Sequence, residues 1–117
     1  MLSYKELNVY QNIKDLIASV YQILRHFPQE EKYALSDQLR RASVSIASNL
    51  AEGMSRFSNK DKRHFIEMSY GSLMEVDCQL DIAQMVGYIS PETYINIEND
   101  IELIAKRLSK LRSSIPE

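Results

Sequence analysis

The chain has 117 residues, 44% of them hydrophobic, a formal charge of −2 and a single cysteine. That length supports one domain, residues 1–117, built on one apolar core, and no run approaches the ~18 consecutive apolar residues of a membrane span. Cys78 permits no internal disulfide, and Ser3, Tyr4, Lys5 and Glu6 come too early for a signal-peptide core, so a reducing, cytoplasmic setting is expected. The slight net acidity argues against a generally basic nucleic-acid binder and leaves only a local basic patch open.

Three glycines and three prolines leave long uninterrupted stretches that favour helices over short strands. The first helix is predicted from Tyr4 to about His26, with Ser3 and Glu6 as a capping box. Val9, Ile13, Leu16, Val20, Ile23 and Phe27 recur at helical spacing, and Tyr10, Ile17, Tyr21 and Leu24 widen that face. Phe27-Pro28 ends it, because a residue before proline is pushed out of the α region.

The second helix begins between Gln29 and Ser36. Either Glu30 and Glu31 occupy its first turn, or Ser36 caps a fresh start after a bend near Ala34. It runs to about Phe57. Its apolar and small residues sweep roughly 200° of arc at 100° per residue, about twice the stripe of an ordinary surface helix. Such a helix needs cover on two sides, from its own core and from a second subunit.

The third helix starts at the Ser58 cap with Asp61 three residues on, and runs to Val86, with Gly87 as the left-handed residue beyond. Phe65, Ile66, Tyr70, Leu73, Val76, Leu80 and Ala83 are its expected inner face. Glu67, Gly71, Met74, Cys78, Asp81 and Met85 lie opposite, an unusual set for a face meant for water. The fourth helix is capped by Ser90, with Pro91 in its first position and Glu92 in its first turn. Tyr94, Ile97, Ile101, Ile104, Leu108 and Leu111 form a heptad seam that ends near Arg112. Four helices with short connections predict an all-α, up-down-up-down antiparallel four-helix bundle.

The stretch from Gln38 to Gly53, QLRRASVSIASNLAEG, and that from Gly71 to Ile89, GSLMEVDCQLDIAQMVGYI, resemble the four-helix-bundle proteins named after 23S rRNA intervening sequences. The likeness extends more weakly over the outer helices. It departs at Ala47, where family members often carry proline, so the second helix is expected to be straighter here. The resemblance implies a small bacterial bundle that assembles as a homopentamer. It also implies a fold like that of the accessory protein of diversity-generating retroelements, which binds RNA and a reverse transcriptase.

Catalytic and metal chemistry find no support in the residues. A di-iron bundle needs Glu-x-x-His on two helices, and neither His26 nor His64 has glutamate three residues before it. Ser45 and Ser48 meet no histidine, Cys78 has Asp77 and Asp81 beside it, and no Gly-rich phosphate loop is present. No metal, cofactor or enzymatic activity is expected.

Two other groups of residues stand out. Antiparallel pairing around Ser58 sets Arg41 level with Glu75, Ser45 with Gly71 and Glu52 with His64. This predicts a bracing network of Arg41, Ser45, Ser48, Asn49, Glu52 and Glu75 around an Arg41–Glu75 ion pair. Arg40, Val44, Ala47, Ala51 and Met54 on the second helix, with Gly71, Met74 and Cys78 on the third, are the expected subunit contacts. A partner carboxylate, or snorkelling to the rim, would account for Arg40.

The functional signal is where the charges fall. Lys5, Arg56, Lys60, Lys62, Arg63, Lys106, Arg107, Lys110 and Arg112, nine of the fourteen Lys and Arg, map to one end of such a bundle. Of these, Arg56, Lys60, Lys62, Arg63, Lys106, Arg107 and Lys110 are the candidate phosphate contacts. Glu30, Glu31, Asp37, Asp77, Asp81, Glu92, Glu98 and Asp100 lie toward the other end or the middle. The leading expectation is a homo-oligomeric RNA- or nucleoprotein-binding accessory that uses this basic end. The alternative is a protein-interaction scaffold whose acidic protein partner sits on the same crown. A small-molecule carrier with a channel along the ring axis is a third reading.

Overall fold

The computed structural model describes the whole chain, Met1–Glu117. It contains four helices, α1 (Asn8–Leu24), α2 (Leu35–Ser55), α3 (Asn59–Met85) and α4 (Pro91–Ser114), and no strand. The helices touch in cyclic order, α1 with α2, α2 with α3, α3 with α4 and α4 with α1, with no diagonal contact. The result is an antiparallel up-down-up-down bundle measuring 44 × 25 × 24 Å.

The local signals of α3 and α4 act as their chemistry requires. Ser58 Oγ accepts the Asp61 N–H at 3.1 Å and Ser90 Oγ accepts the Thr93 N–H at 3.1 Å, each satisfying a donor that the first turn leaves free. At the end of α3, Gly87 takes φ 86°. The Tyr88 N–H then reaches the Ala83 carbonyl at 2.8 Å and the Gly87 N–H reaches Gln84 at 3.1 Å, a Schellman closure. The fourth helix continues to Ser114, slightly beyond the expected stop near Arg112.

The start of α1 differs from expectation, whereas α2 begins within the expected range and differs only in its cap. Ser3–Glu6 form a separate 3-10 turn, Leu7 is extended, and α1 begins at Asn8 with no side-chain cap. Leu7 packs against the core, and drawing it inward breaks the helix that Ser3 and Glu6 were expected to open. Before α2, Gln29–Glu31 make another 3-10 turn and the chain bends at Ala34. Ser36 is buried within the first turn rather than capping it. Glu31 Oε2 instead accepts the Leu35 N–H at 3.4 Å.

The core is a continuous column from all four helices. Ile13, Leu16, Leu39, Ile46, Leu50, Ile66, Leu73, Leu80, Ile104 and Leu108 are its fully buried large side chains. The helical period misplaces one member of α3: Tyr70, expected inside, is 39% exposed, while Ser69 and Ser72 point inward. Serines there let α3 approach α2 closely. At Gly53 an added Cβ would lie 2.9 Å from Phe65 Cβ and 3.3 Å from the Lys62 carbonyl oxygen.

Candidate nucleic-acid interface

The polar strip of α2 does reach α3, with partners one residue from the expected register. Ser45 and Ser72 hydroxyls lie 2.9 Å apart, and Asn49 Nδ2 donates to both the carbonyl and the hydroxyl of Ser45 at 3.0 Å. Ser69 Oγ donates to the Ile46 carbonyl at 2.7 Å, and Gln79 meets Gln38 at 3.5 Å. The seam is therefore braced by neutral groups.

The expected charged brace is absent. Arg41 is 81% exposed and pairs with Asp37 of its own helix at 3.2 Å, leaving Glu75 without an ion pair. A partner one turn away on the same helix needs no alignment between helices, so it captures the guanidinium first. Glu52 likewise turns to Arg56 at 2.5 Å rather than to His64. Ser48 is exposed and outside the network. Arg40 needs no second subunit, since it lies 3.6 Å from Asp37 and donates to the Lys32 carbonyl at 3.3 Å.

The expected subunit-contact residues fall into two groups. On α2, Arg40, Ala47, Ala51 and Met54 are half-buried, and Val44 is exposed. The wide apolar arc of α2 is covered largely by α1 on one flank and α3 on the other. On α3, Gly71, Met74 and Cys78 are exposed, together with Met68, Ile82 and Met85.

At the basic end, carboxylates hold two of the nine cations. Glu52 holds Arg56, whose guanidinium carbon also lies 4.6 Å from the Phe65 ring centroid. Glu67 holds Arg112 at 2.9 Å. Arg63 donates to the Pro116 carbonyl and Arg107 to Asn12 Oδ1, neutral acceptors that leave the charge uncompensated. Lys5, Lys60, Lys62, Lys106 and Lys110 form no ion pair. Glu6, Asp61 and Glu117, also without ion pairs, offset part of this charge and leave the end positive. Phe57, in the turn between α2 and α3, is fully exposed among these cations.

Sequence reasoning missed the polar cluster toward the opposite end. The Tyr94 hydroxyl lies 2.9 Å from Asp77 Oδ1 and 2.6 Å from Glu98 Oε2. Burial raises the Asp77 carboxyl above its ordinary range, and repulsion from Glu98 and Asp81 adds to this, against the hydrogen bond from Tyr94. Burial, then the two carboxylates, push the Tyr94 phenol upward as well. The i,i+4 spacing of Tyr94 and Glu98 was a usable signal, but the contribution of Asp77 from α3 was not.

No group of three or more His, Cys, Asp or Glu side chains is placed to hold a metal ion. No helix is long and apolar enough to cross a membrane.

Residues 5–110 match the family model described as 23S rRNA-intervening sequence protein. Among solved structures, the chain is similar to a protein of unknown function from the S23 ribosomal protein family of Bacteroides thetaiotaomicron, with a TM-score of 0.82 and 22% identity. That alignment covers 91% of this chain and 99% of the other, and at this identity the likeness speaks to fold. No curated protein matches the chain significantly.

Proposed function

We propose a nucleic-acid role for this chain, which belongs to the 23S rRNA-intervening sequence protein family: a non-enzymatic, homo-oligomeric accessory that grips RNA or a nucleoprotein with the basic end of the bundle. One observation carries the reading. Of the nine cations gathered at that end, seven have no carboxylate partner. Such charges release counterions when they meet phosphates, and an exposed aromatic among them, here Phe57, offers a face for a base. Subunits assemble through the exposed apolar face of α3, where Met68, Met74 and Ile82 are each about two-fifths exposed and Met85 is more exposed still.

Fluorescence anisotropy with labelled RNA across a salt series tests the first part. Affinity should fall steeply with salt, and the combined Lys60→Ala, Lys62→Ala, Arg63→Ala variant should lose most of it. Absence of binding at low salt removes the reading. Light scattering tests the second part: the wild type should run as an oligomer, a pentamer by the family resemblance, and Met74→Glu should lower that mass. A monomeric wild type overturns the assembly.

The exposed α3 face also favours the second reading, a protein-interaction scaffold. An acidic protein would then bind the crown while RNA does not.

A further inference from the structure

We propose that the groove between α3 and α4 is a binding track for single-stranded RNA, with Tyr70 as a stacking platform for a base; this rests on the nucleic-acid reading above and names the strand and its path. Two depressions meet along this groove. One, of about 370 Å³, is lined by Ile66, Glu67, Gly71, Leu108 and Arg112. The other, of about 400 Å³, is lined by Ala105, Lys106, Lys110 and Ser113. Tyr70 and Ser109 line both, so the tyrosine stands where the two join.

The lining has the chemistry of a strand-binding channel. Glu67 is the one carboxylate in either depression, and Arg112 already holds it. Lys106 and Lys110 have no ion pair and lie one helical turn apart on α4, so both can meet consecutive phosphates of one strand. Ser109 and Ser113 add hydroxyls along the same row. Gly71 has nothing within 4 Å of where its Cβ would be, which leaves the approach to Tyr70 open. The Tyr70 hydroxyl has no hydrogen-bond partner within the chain, and the ring is half-exposed on a rigid helix rather than on a loop. A face fixed in this way loses little side-chain freedom when a base stacks on it. Duplex RNA, whose bases are already stacked on one another, cannot use it.

The test is anisotropy with a fluorescein-labelled oligouridine of about twelve nucleotides and with a blunt RNA duplex of the same length. Both are titrated with wild type, Tyr70→Ala, Tyr70→Phe and the Lys60, Lys62, Arg63 triple variant, with folding checked by circular dichroism. Stacking of one base predicts that Tyr70→Ala weakens strand binding about tenfold, that Tyr70→Phe retains it, and that the duplex binds more weakly than the strand. Strand binding unchanged in Tyr70→Ala but lost in the triple variant overturns the track and leaves the basic end standing. Equal affinity for strand and duplex also overturns the track. A wild type that binds neither probe at low salt removes both. RNA-free Tyr70→Ala with a lower assembled mass than wild type places a second copy in the groove, and overturns the proposal too.

Discussion

The two seams of α3 are built on opposite plans. Toward α2 it presents Ser69 and Ser72, and Gly53 of α2 lets the backbones come so close that a methyl group has no room. Toward α4 it presents Ile66 at depth but Tyr70 at the rim, and the helices part into an open groove. Small hydroxyl side chains close one seam with neutral hydrogen bonds, and long side chains hold the other ajar. The difference divides a single helix: the α2 side fixes the scaffold, while the α4 side leaves an open groove.

The sharpest way to break this contrast is to add one methyl group to each seam. Gly53→Ala drives a Cβ against Phe65 Cβ and the Lys62 carbonyl, neither of which can rotate away. Overpacking of ~1–3 kcal/mol then offsets and exceeds a helix-propensity gain of ~1 kcal/mol, for a net loss of up to about 2 kcal/mol in denaturant unfolding. Ser45→Ala ranks next. It removes the oxygen shared by Ser72 and Asn49 and should cost about 1 kcal/mol, with Ser72→Ala adding little once Ser45 is gone. Gly71→Ala, on the open side, meets nothing and should stabilise by roughly 0.5–1 kcal/mol. If Gly53→Ala stabilised as well, the seams would not differ in the way described.

Where the sequence was readable follows the same division. Ser58, Ser90 with Pro91, and Gly87 act within a few residues of themselves, so their roles could be read without knowing the fold. The α2–α3 register was readable to within one residue because a short turn fixes it. What the sequence could not show was choice among partners. Arg41 finds Asp37 on its own helix before Glu75 across the seam, and Glu52 finds Arg56 in the same way. Nor could periodicity place Tyr70: a tyrosine at a core-spaced position satisfies the pattern equally well at the rim, with its hydroxyl in water. At Leu7, packing overrides a well-formed capping signal. The basic end was legible as charge. Its pairing was not, because that depends on which carboxylates the fold brings alongside.

The smallest predicted effect concerns the acidic end of the α3–α4 seam, where one phenol meets two carboxylates. Tyr94 has one hydroxyl hydrogen to offer Asp77 and Glu98, so with both carboxylates charged one faces the phenol oxygen unsatisfied. Folding raises the Asp77 pKa above its ordinary 3.8, which means that the folded state favours the protonated acid. The stabilisation linked to this group is thus fully present below that ordinary value and is lost as pH rises through the higher folded value. At neutral pH the ionised Asp77 costs stability. Asp77→Asn removes the charge and keeps an acceptor for Tyr94, so it should raise Tm modestly at neutral pH. That advantage should shrink as the pH falls through the carboxylate range, where wild type protonates and catches up. Ser45→Ala, on the neutral seam, should shift Tm by a similar amount at every pH. Melts of the three proteins across that range decide the matter. A constant Asp77→Asn offset would mean that the acid is not held by the seam, and a pH-dependent Ser45→Ala offset would mean that the α2 side is not neutral.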